Sequence, residues 1–187
     1  MKAMSKTELP DKELIDLYLD QDDEAFEILY NRYKNAVYSY LNKLIPGQTV
    51  LVDDLFQQTW MKVVTKIEKY QDQQNFLAWV IRISRNLSID YFRKEGKNKM
   101  TSMDGVAPIA SSGLDLPSSG LVNEELGQAI ARAVATLPDE QREVFILRQQ
   151  NVSFKEIAVI QDTTLNTTLG RMHYAVSKLR SVLKEWL

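Results

Sequence analysis

The chain has 187 residues, 44% apolar and 26% charged, which is enough for one large domain or two small ones with buried cores. Its 23 basic and 25 acidic residues give a net charge of −2, which excludes a global positive field but leaves room for local basic patches. The absence of cysteine and the single histidine exclude disulfides, zinc–thiolate sites and histidine metal clusters. Without a signal-peptide pattern or an apolar run near the roughly 20 residues that span a bilayer, we expect a soluble, cytoplasmic protein.

Residues 8–95 are predicted to form a bundle of four helices, because their apolar residues recur at spacings of three and four. The first helix is predicted over 10–19, and the second begins near 22 and ends before Pro46. The third is predicted over 53–70 and the fourth over 75–93. The predicted buried stripes of the third and fourth helices are Leu55, Phe56, Trp60, Val63, Val64 and Ile67, then Phe76, Trp79, Val80, Ile83, Leu87 and Ile89.

Residues 96–120 are predicted to be a flexible linker. This stretch contains four of the seven glycines and two of the five prolines, five serines and no aromatic residue. Such a composition cannot bury enough apolar surface to offset the entropy of ordering the chain. A flexible chain of this length spans roughly 25–30 Å, so two modules joined by it can reach different parts of one extended ligand.

Residues 121–187 are predicted to form a second helical module. One helix ends at Leu137, and Pro138 opens the next. Ser153 and Glu156 form a capping-box pattern, and the polar turn 161–164 precedes a long last helix. This short helix, turn and longer helix are typical of a helix-turn-helix. The predicted buried stripe of the last helix is Leu165, Leu169, Met172, Val176, Leu179 and Leu183.

The charges are segregated within the first module. Residues 8–27 hold nine acidic residues against one lysine, whereas residues 82–99 hold six basic residues against two acidic ones. A run of basic residues is either an ordinary solvated helix end or an electrostatic footprint for nucleic acid. The acidic stretch either shields the basic helix or serves a regulator.

Aromatic and amide side chains lie beside this basic helix, from Tyr70 to Trp79. Aromatic faces stack on unpaired bases, and amides can read base edges. At helical spacing, however, Phe76 and Trp79 also fit an ordinary core. Asn86, a poor helix former in mid-helix, is either a tolerated surface residue or a hydrogen-bonding reader. His173 is interpreted as a surface or groove-facing residue of the last helix.

Two stretches of the sequence resemble extracytoplasmic-function sigma factors of the sigma-70 family. The segments DDLFQQTWMKV (53–63) and FLAWVIRISRNLSIDYFRK (76–94) resemble the second conserved region of that family. The segments LPDEQREVFILR (137–148) and SFKEIAVIQDTTLNTTLGRMHYAVSKLR (153–180) resemble the fourth. The resemblance implies an all-α protein: a region 2 bundle (8–95), a flexible linker (96–120) and a region 4 helix-turn-helix (121–187).

The same resemblance implies a non-enzymatic subunit that binds bacterial core RNA polymerase and recognises promoter DNA, without cofactor, catalytic residue, metal or membrane insertion. An anti-sigma factor is an implied partner. The residues implied to bind core polymerase are Asp54, Leu55, Gln57 and Gln58, where Gln58 replaces a glutamate common in the family. Those implied to contact the −10 element are Tyr70, Asp72, Gln73, Gln74, Asn75, Trp79, Arg82, Arg85, Asn86, Arg93 and Lys94. Lys97 and Lys99 are further phosphate contacts.

The last helix is implied to enter the major groove at the −35 element. The residues implied for this contact are Arg148, Thr167, Leu169, Gly170, Arg171, His173, Tyr174 and Lys178. Leu169 and Tyr174 stand where the family often has basic residues, and Gly170 where it often has serine. We interpret Leu169 as part of the apolar stripe; the alternative is contact with a thymine methyl group.

Two other classes of protein remain as alternatives. A stand-alone helix-turn-helix regulator would act without polymerase, but it has no reason to carry the 54–58 run and the aromatic–basic helix. A helical scaffold without a nucleic-acid partner would not need the segregated charges or a groove helix. An enzyme is disfavoured, because no acid–base pair, activated nucleophile or metal cluster can be assembled from these residues.

Overall fold

The computed structural model describes residues 5–71, 75–101 and 121–186, with the backbone alone given at 97–101, 121–124 and 185. Within these ranges every regular element is a helix, which confirms the predicted all-α class. The α-helices are α1 (Asp11–Leu19), α2 (Asp23–Leu44), α3 (Thr49–Lys66), α4 (Phe76–Thr101), α5 (Leu121–Ala135), α6 (Asp139–Gln149), α7 (Phe154–Ile160) and α8 (Leu165–Val182). Short 3-10 turns lie at Lys6–Glu8, Ile67–Lys69 and Lys184–Trp186.

Helices α1–α4 form the first bundle, in which α2, α3 and α4 pack against one another and α1 lies against α2. Where α3 meets α4, two small polar side chains join the apolar contact. Thr59 Oγ1 donates to the Leu55 carbonyl at 2.7 Å and lies 3.1 Å from Ser84 Oγ. Both side chains are buried, and hydrogen bonds to the helix backbone satisfy their hydroxyl groups inside the core. These small residues let the two helix backbones approach closely.

The acidic stretch of α1 and α2 is partly neutralised inside the first bundle. Arg32 lies 2.5 Å from Asp11 and also donates to the carbonyls of Thr7 and Leu9, both at 2.9 Å. Lys6 lies 2.7 Å from Asp22 and 2.6 Å from Glu24. The hydrogen bond between Lys6 and Asp22 raises the pKa of the Lys6 ammonium group and lowers the pKa of the Asp22 carboxyl group. These contacts hold the N-terminal turn against α2.

Helix α3 starts earlier than the sequence pattern predicted and ends earlier too. It begins at Thr49 instead of near 53, and its last turn after Lys66 tightens into a 3-10 turn. Gly47, with φ 80°, makes the tight turn that ends α2, so that a new helix can begin two residues later. The prediction that Val64 is buried is wrong, because its side chain faces solvent.

Helix α4 runs past the predicted end at Arg93 as far as Thr101. Gly96 lies inside it with open space around its Cα, and one glycine costs a helix only about 1 kcal/mol relative to alanine. The prediction that Ile89 is buried is also wrong, since Ile89 lies on the exposed side of this helix. The rest of the predicted linker, 102–120, lies outside the described residues.

Helices α5–α8 form the second bundle and contain the predicted helix-turn-helix. The capping box at the start of α7 is confirmed: the Glu156 amide donates to Ser153 Oγ at 3.2 Å, and the Ser153 amide donates to Glu156 Oε2 at 2.7 Å. In the turn to α8, Asp162 adopts φ 52°, a left-handed conformation that aspartate tolerates better than most residues. This explains how the turn forms without a glycine, which turns between two such helices often contain.

The buried face of α8 differs from the predicted stripe. Thr168 and Ala175 are fully buried with Leu179, whereas Leu165 and Leu169 are exposed. The reason is that α8 packs against α5, α6 and α7 together, so its closest contacts require small side chains. The buried hydroxyl of Thr168 is satisfied, because it donates a hydrogen bond to the Thr164 carbonyl at 3.1 Å. The interpretation of Leu169 as a core residue is therefore wrong.

We expect Ser153→Ala to lower the free energy of unfolding by about 1 kcal/mol, because it leaves the Glu156 amide without its cap. Urea denaturation followed by circular dichroism measures this loss. Ser181→Ala is the matched control, because Ser181 is exposed near the end of α8. Equal stabilities of the two variants would contradict a stabilising role for the capping box.

The two bundles pack against each other. Helix α6 lies against α2, and α7 lies against α4. Apolar residues of the second bundle join the core of the first, so that one continuous core runs through both. The members contributed by the second bundle are Val144, Ile146, Leu147, Val152, Ile157 and Ile160.

Candidate nucleic-acid interface

Helix α3 presents a polar face to solvent. Its opposite face is buried, including Leu55 at 1% exposure. Asp54, Gln57 and Gln58 are exposed, and Gln58 Nε2 donates to Asp54 Oδ2 at 2.8 Å. Leu55 is therefore a core residue that holds this helix in place, while its neighbours form the accessible surface.

An apolar residue that the sequence analysis did not single out completes this surface. Met61 is 70% exposed, one turn beyond Gln57 and Gln58. Val64 continues the row toward the end of α3. Met61 lies on the side of α3 opposite the buried stripe that begins at Val52, so its helical position alone could have shown its exposure. The combined polar and apolar face of α3 is suited to binding a partner protein.

An aromatic cluster supports the start of α4. The Phe76 ring lies 5.5 Å from that of Tyr70 and 5.7 Å from that of Trp79, and it also packs on Tyr33 at 5.5 Å. Phe76 is buried and Trp79 is half-buried. Phe76 is therefore a core residue, while part of Trp79 remains open to a ligand.

Asn75 caps the first turn of α4, since its Oδ1 accepts from the Leu77 amide at 3.0 Å. Its side chain is thereby oriented at the point where the loop after Tyr70 enters the helix. Asp72, Gln73 and Gln74, also implied as −10 contacts, lie outside the described residues.

The exposed face of α4 is basic and polar. Arg82 and Asn86 lie one turn apart, and Arg93 and Lys94 follow on the exposed part of the helix. Arg93 is only loosely paired with Asp90, at 3.7 Å. Asn86 is therefore a surface residue, and its amide is accessible. Lys97 and Lys99 belong to the same helix, but the positions of their side chains are not described.

Arg85 does not share this exposed face. Its guanidinium Nε lies 3.0 and 3.1 Å from the two carboxylate oxygens of Glu143, on α6 of the other bundle. Both side chains are largely buried. In this structure Arg85 is therefore an interdomain contact.

Helix α8 presents a mixed apolar and polar face. Leu169 is 42% exposed and Tyr174 65% exposed, and the His173 and Tyr174 rings lie 5.8 Å apart. Thr167 and Lys178 are also exposed. Gly170 adjoins open space, so a larger residue would fit at that position. Since the N-terminal half of a recognition helix contacts base edges, Thr167 and Leu169 are well placed for that role.

Two arginines of the implied −35 set have structural partners. Arg148 donates to the Val152 carbonyl at 2.6 Å and lies over the Phe154 ring, 4.6 Å from its centroid. Arg171 Nη1 donates to Gln161 Oε1 at 2.7 Å. Arg148 therefore shapes the loop before α7, and Arg171 fixes α8 to the turn that precedes it.

The described part of the chain holds neither a metal-binding cluster nor a membrane-spanning helix. No group of three or more histidine, cysteine or acidic side chains lies together where it could hold a metal ion. No helix there combines the length and the apolar character needed to cross a membrane.

Comparison with known proteins gives the family. The sigma-70 region 2 model matches residues 29–98, and the sigma-70 region 4 model matches residues 127–179. Together these matches cover about two thirds of the chain.

Curated relatives match along nearly the whole length. The ECF RNA polymerase sigma-E factor of Escherichia coli is 27% identical over 176 residues, which is 90% of this chain and 91% of that protein. The ECF RNA polymerase sigma factor SigW of Bacillus subtilis is 26% identical over 173 residues, 88% of this chain and 91% of that protein.

Solved structures of other proteins have a similar fold. The sigma factor RpoE of Bartonella quintana, crystallised with the anti-sigma factor NepR, superposes with a TM-score of 0.73 at 26% identity, covering 85% of this chain and 96% of RpoE. CnrH, solved with the cytosolic domain of CnrY, shares the fold, with a TM-score of 0.66 at 22% identity.

The helical first bundle and the helix-turn-helix second bundle thus define a transcription initiation factor. The chain belongs to the sigma-70 family, within its extracytoplasmic-function group.

Proposed function

We propose that this chain is a dissociable promoter-recognition subunit of bacterial RNA polymerase. It docks on core polymerase through the exposed α3 face formed by Asp54, Gln57 and Gln58, with Met61 at its edge. This face is the observation that carries the proposal, because α3 buries one side in the bundle and keeps a polar row accessible on the other. A stand-alone helix-turn-helix regulator would have no use for it.

The −10 element is met by the loop after Tyr70 and the exposed face of α4. Half-buried Trp79 offers a ring for base stacking, which contributes about 1–3 kcal/mol per base. Asn86 and the loop amides supply hydrogen bonds to base edges. Arg82, Arg93 and Lys94 contact phosphates, which positions the strand without reading its sequence.

The −35 element is met by the exposed face of α8. Thr167 and Leu169 face the bases. His173, Tyr174 and Lys178 lie further along the helix, toward the phosphate backbone of the DNA. Leu169, which is free of the core, is available to a thymine methyl group.

Promoter opening then needs no catalytic residue. The −35 contact provides affinity and register, and the −10 contact holds unstacked bases of one strand. Because the subunit binds the separated strand better than the duplex, the equilibrium shifts toward the open promoter. The protein accordingly works as an initiation factor in the cytoplasm and not as an enzyme.

The relatives support the choice of partners. Two of them are named RNA polymerase sigma factors, and the Bartonella relative is bound to an anti-sigma factor. We expect core polymerase, promoter DNA and an anti-sigma factor as partners of this chain as well.

Transcription by the purified chain with core polymerase on random-sequence templates tests this function and reads out both promoter elements. We expect initiation only when both components are present, and little promoter affinity for the chain alone. Strong, sequence-specific binding by the isolated chain would contradict the model and favour a stand-alone regulator.

We expect Leu169→Ala to weaken promoter binding by the chain–polymerase complex about tenfold, since it removes three apolar carbons from the contact with DNA. The stability of the free chain should hardly change, because Leu169 lies outside the core. Fluorescence anisotropy of promoter DNA and urea denaturation measure the two effects. Val182→Ala, an exposed apolar residue at the far end of α8, is the control. A loss of stability without a loss of promoter binding would show that Leu169 acts as a core residue and not as a DNA contact.

A further inference from the structure

Tyr33 of α2 touches both the N-terminal helix and the aromatic cluster that supports the −10 contacts. Its hydroxyl donates to Oδ2 of Asp11, the first residue of α1, at 2.5 Å. Its ring packs on that of Phe76, the first residue of α4, with 5.5 Å between the ring centroids. The side chain is half-buried between these partners, and rotating it would break both contacts. Tyr33 therefore connects α1 to the start of α4.

The Asp11 carboxylate is itself held in place. Its Oδ1 accepts from Arg32 Nη1 at 2.5 Å, while its Oδ2 accepts from Tyr33. Arg32 Nη2 donates to the carbonyls of Thr7 and Leu9, both at 2.9 Å. Hydrogen bonds to a charged group are stronger than those between neutral groups. Burial and the Asp11 carboxylate raise the pKa of the Tyr33 hydroxyl, so this group stays protonated as a donor.

One buried ring separates Tyr33 from the two aromatic residues implied in the −10 contact. Phe76 is 1% exposed, and its ring lies 5.5 Å from that of Tyr70 and 5.7 Å from that of Trp79. The Tyr70 and Trp79 rings lie 5.2 Å apart. Close-packed side chains transmit a displacement to their neighbours, because no free volume absorbs it. A shift of Tyr33 is therefore expected to move Phe76 and, with it, the exposed part of Trp79.

A second contact ties the N-terminal segment to α2 at a different place. Lys6 lies 2.7 Å from Asp22 and 2.6 Å from Glu24, at the start of α2. Tyr33 follows about two and a half helical turns after Glu24. The Lys6 contact thus attaches the segment without touching Tyr33. Substitutions at the two places can separate attachment of the segment from support of the aromatic cluster.

We propose that Asp11, acting through Tyr33, is a positioning residue for promoter opening: it holds Phe76 and Trp79 in the arrangement that stacks on an unpaired base of the −10 element. The proposal rests on the proposed function and adds a residue outside the DNA-binding surface. Trp79 stacks on the base, and Asp11 acts on the support beneath it. Loss of the bond between Asp11 and Tyr33 should slow strand opening. It should leave polymerase docking and the −35 contact unchanged, because those belong to α3 and α8.

Tyr33→Phe tests the link with the smallest change, because it removes the hydroxyl and keeps the ring against Phe76. Asp11→Ala removes the acceptor. Each variant is combined with core polymerase and assayed on two templates: a duplex promoter, and the same promoter with mismatched, already separated −10 bases. Lys6→Ala is the matched control, since it loosens the N-terminal segment at the contact that does not involve Tyr33.

We expect the rate of open-complex formation on the duplex to fall about fivefold for Tyr33→Phe and about tenfold for Asp11→Ala, with promoter affinity before opening unchanged. On the mismatched template both variants should transcribe within about twofold of the unsubstituted chain, because the strands are already apart. Lys6→Ala should match the unsubstituted chain on both templates. An equal loss on the two templates would overturn the positioning role, since a merely destabilised chain is impaired on both. So would a loss for Lys6→Ala as large as that for Asp11→Ala.

Fluorescence of Trp79 measures the support without polymerase or DNA. The chain has three tryptophans, so Trp60→Phe with Trp186→Phe leaves Trp79 as the reporter. Trp186 is exposed, and Trp60→Phe keeps an aromatic ring in the core. In this background, Tyr33→Phe and Asp11→Ala should each raise the quenching of Trp79 by acrylamide about twofold, whereas the control should not. Unchanged quenching in both variants would overturn the proposal.

The outcomes separate this proposal from the proposed function. If the unsubstituted chain initiates on neither template, the proposed function is wrong, and the positioning role in promoter opening falls with it. If that chain initiates on both templates and the variants open the duplex at the same rate, only the positioning role is wrong. Should Asp11→Ala fail to fold, Tyr33→Phe alone decides, because it leaves the contact between Arg32 and Asp11 in place.

Discussion

Glu143→Ala is expected to lower the free energy of unfolding by roughly 3–5 kcal/mol, the largest effect on stability that we foresee for one substitution. The reason is that the carboxylate balances the charge of Arg85 in a poorly solvated place and also accepts from Tyr40 and Gln161. Its removal leaves a guanidinium without its counter-charge and a fully buried hydroxyl without an acceptor. Such orphaned groups cost more than the intact network contributes.

Urea denaturation followed by circular dichroism measures this loss. Glu140→Ala is the matched control, because Glu140 lies one turn earlier on α6 with its side chain exposed, and its change should stay within about 0.5 kcal/mol. Glu143→Gln should fall between the two, since an amide still accepts hydrogen bonds but carries no charge. A loss below about 1 kcal/mol for Glu143→Ala would mean that the two bundles separate easily in solution.

Asp54→Arg is expected to weaken binding to core polymerase by at least about thirtyfold, which corresponds to 2 kcal/mol or more for a reversed charge at an interface. Asp54 lies at the centre of the exposed α3 face and is bonded to Gln58, so the substitution changes both the charge and the local arrangement. Because Asp54 is exposed, the fold itself should be little affected. Transcription should fall in proportion to binding.

Fluorescence anisotropy with labelled chain measures the affinity, and run-off transcription measures the activity. Glu13→Arg is the matched control, as it reverses an exposed acidic residue on α1, a helix that packs against α2. Equal affinities of the two variants would show that the polymerase docks elsewhere. The proposed assignment of the α3 face would then be wrong, even if the chain transcribes.

Local features were the most predictable from sequence. The capping box before α7 and the polar turn before α8 depend on residues within a few positions of one another, so their pattern predicts the structure directly. The exposed pair Asp54 and Gln58 could likewise be located from helical spacing alone. Apolar periodicity placed each helix, although α3 and α4 differ from prediction at their ends because propensity is weak there.

The orientation of α8 was less predictable. Its sequence offers a row of leucines at helical spacing, yet Thr168 and Ala175 are buried and Leu169 is exposed. A helix held between three others turns its small residues toward the closest neighbours. Apolar periodicity carries no information on the distances between packed helices. Arg85 and Arg148 illustrate the same limit, since a basic residue looks equally available for DNA and for a buried partner until its neighbours are known.

The sequence by itself determined the helical class and indicated the family, because both depend on residues close together along the chain. Only the tertiary structure decided how the two bundles sit against each other. Tyr40 and Glu143 are 103 positions apart, and neither lies in a pattern that marks the other as a partner. Their contact arises from the packing of α6 on α2, where a buried carboxylate must find donors, and α2, α4 and the turn after α7 supply them.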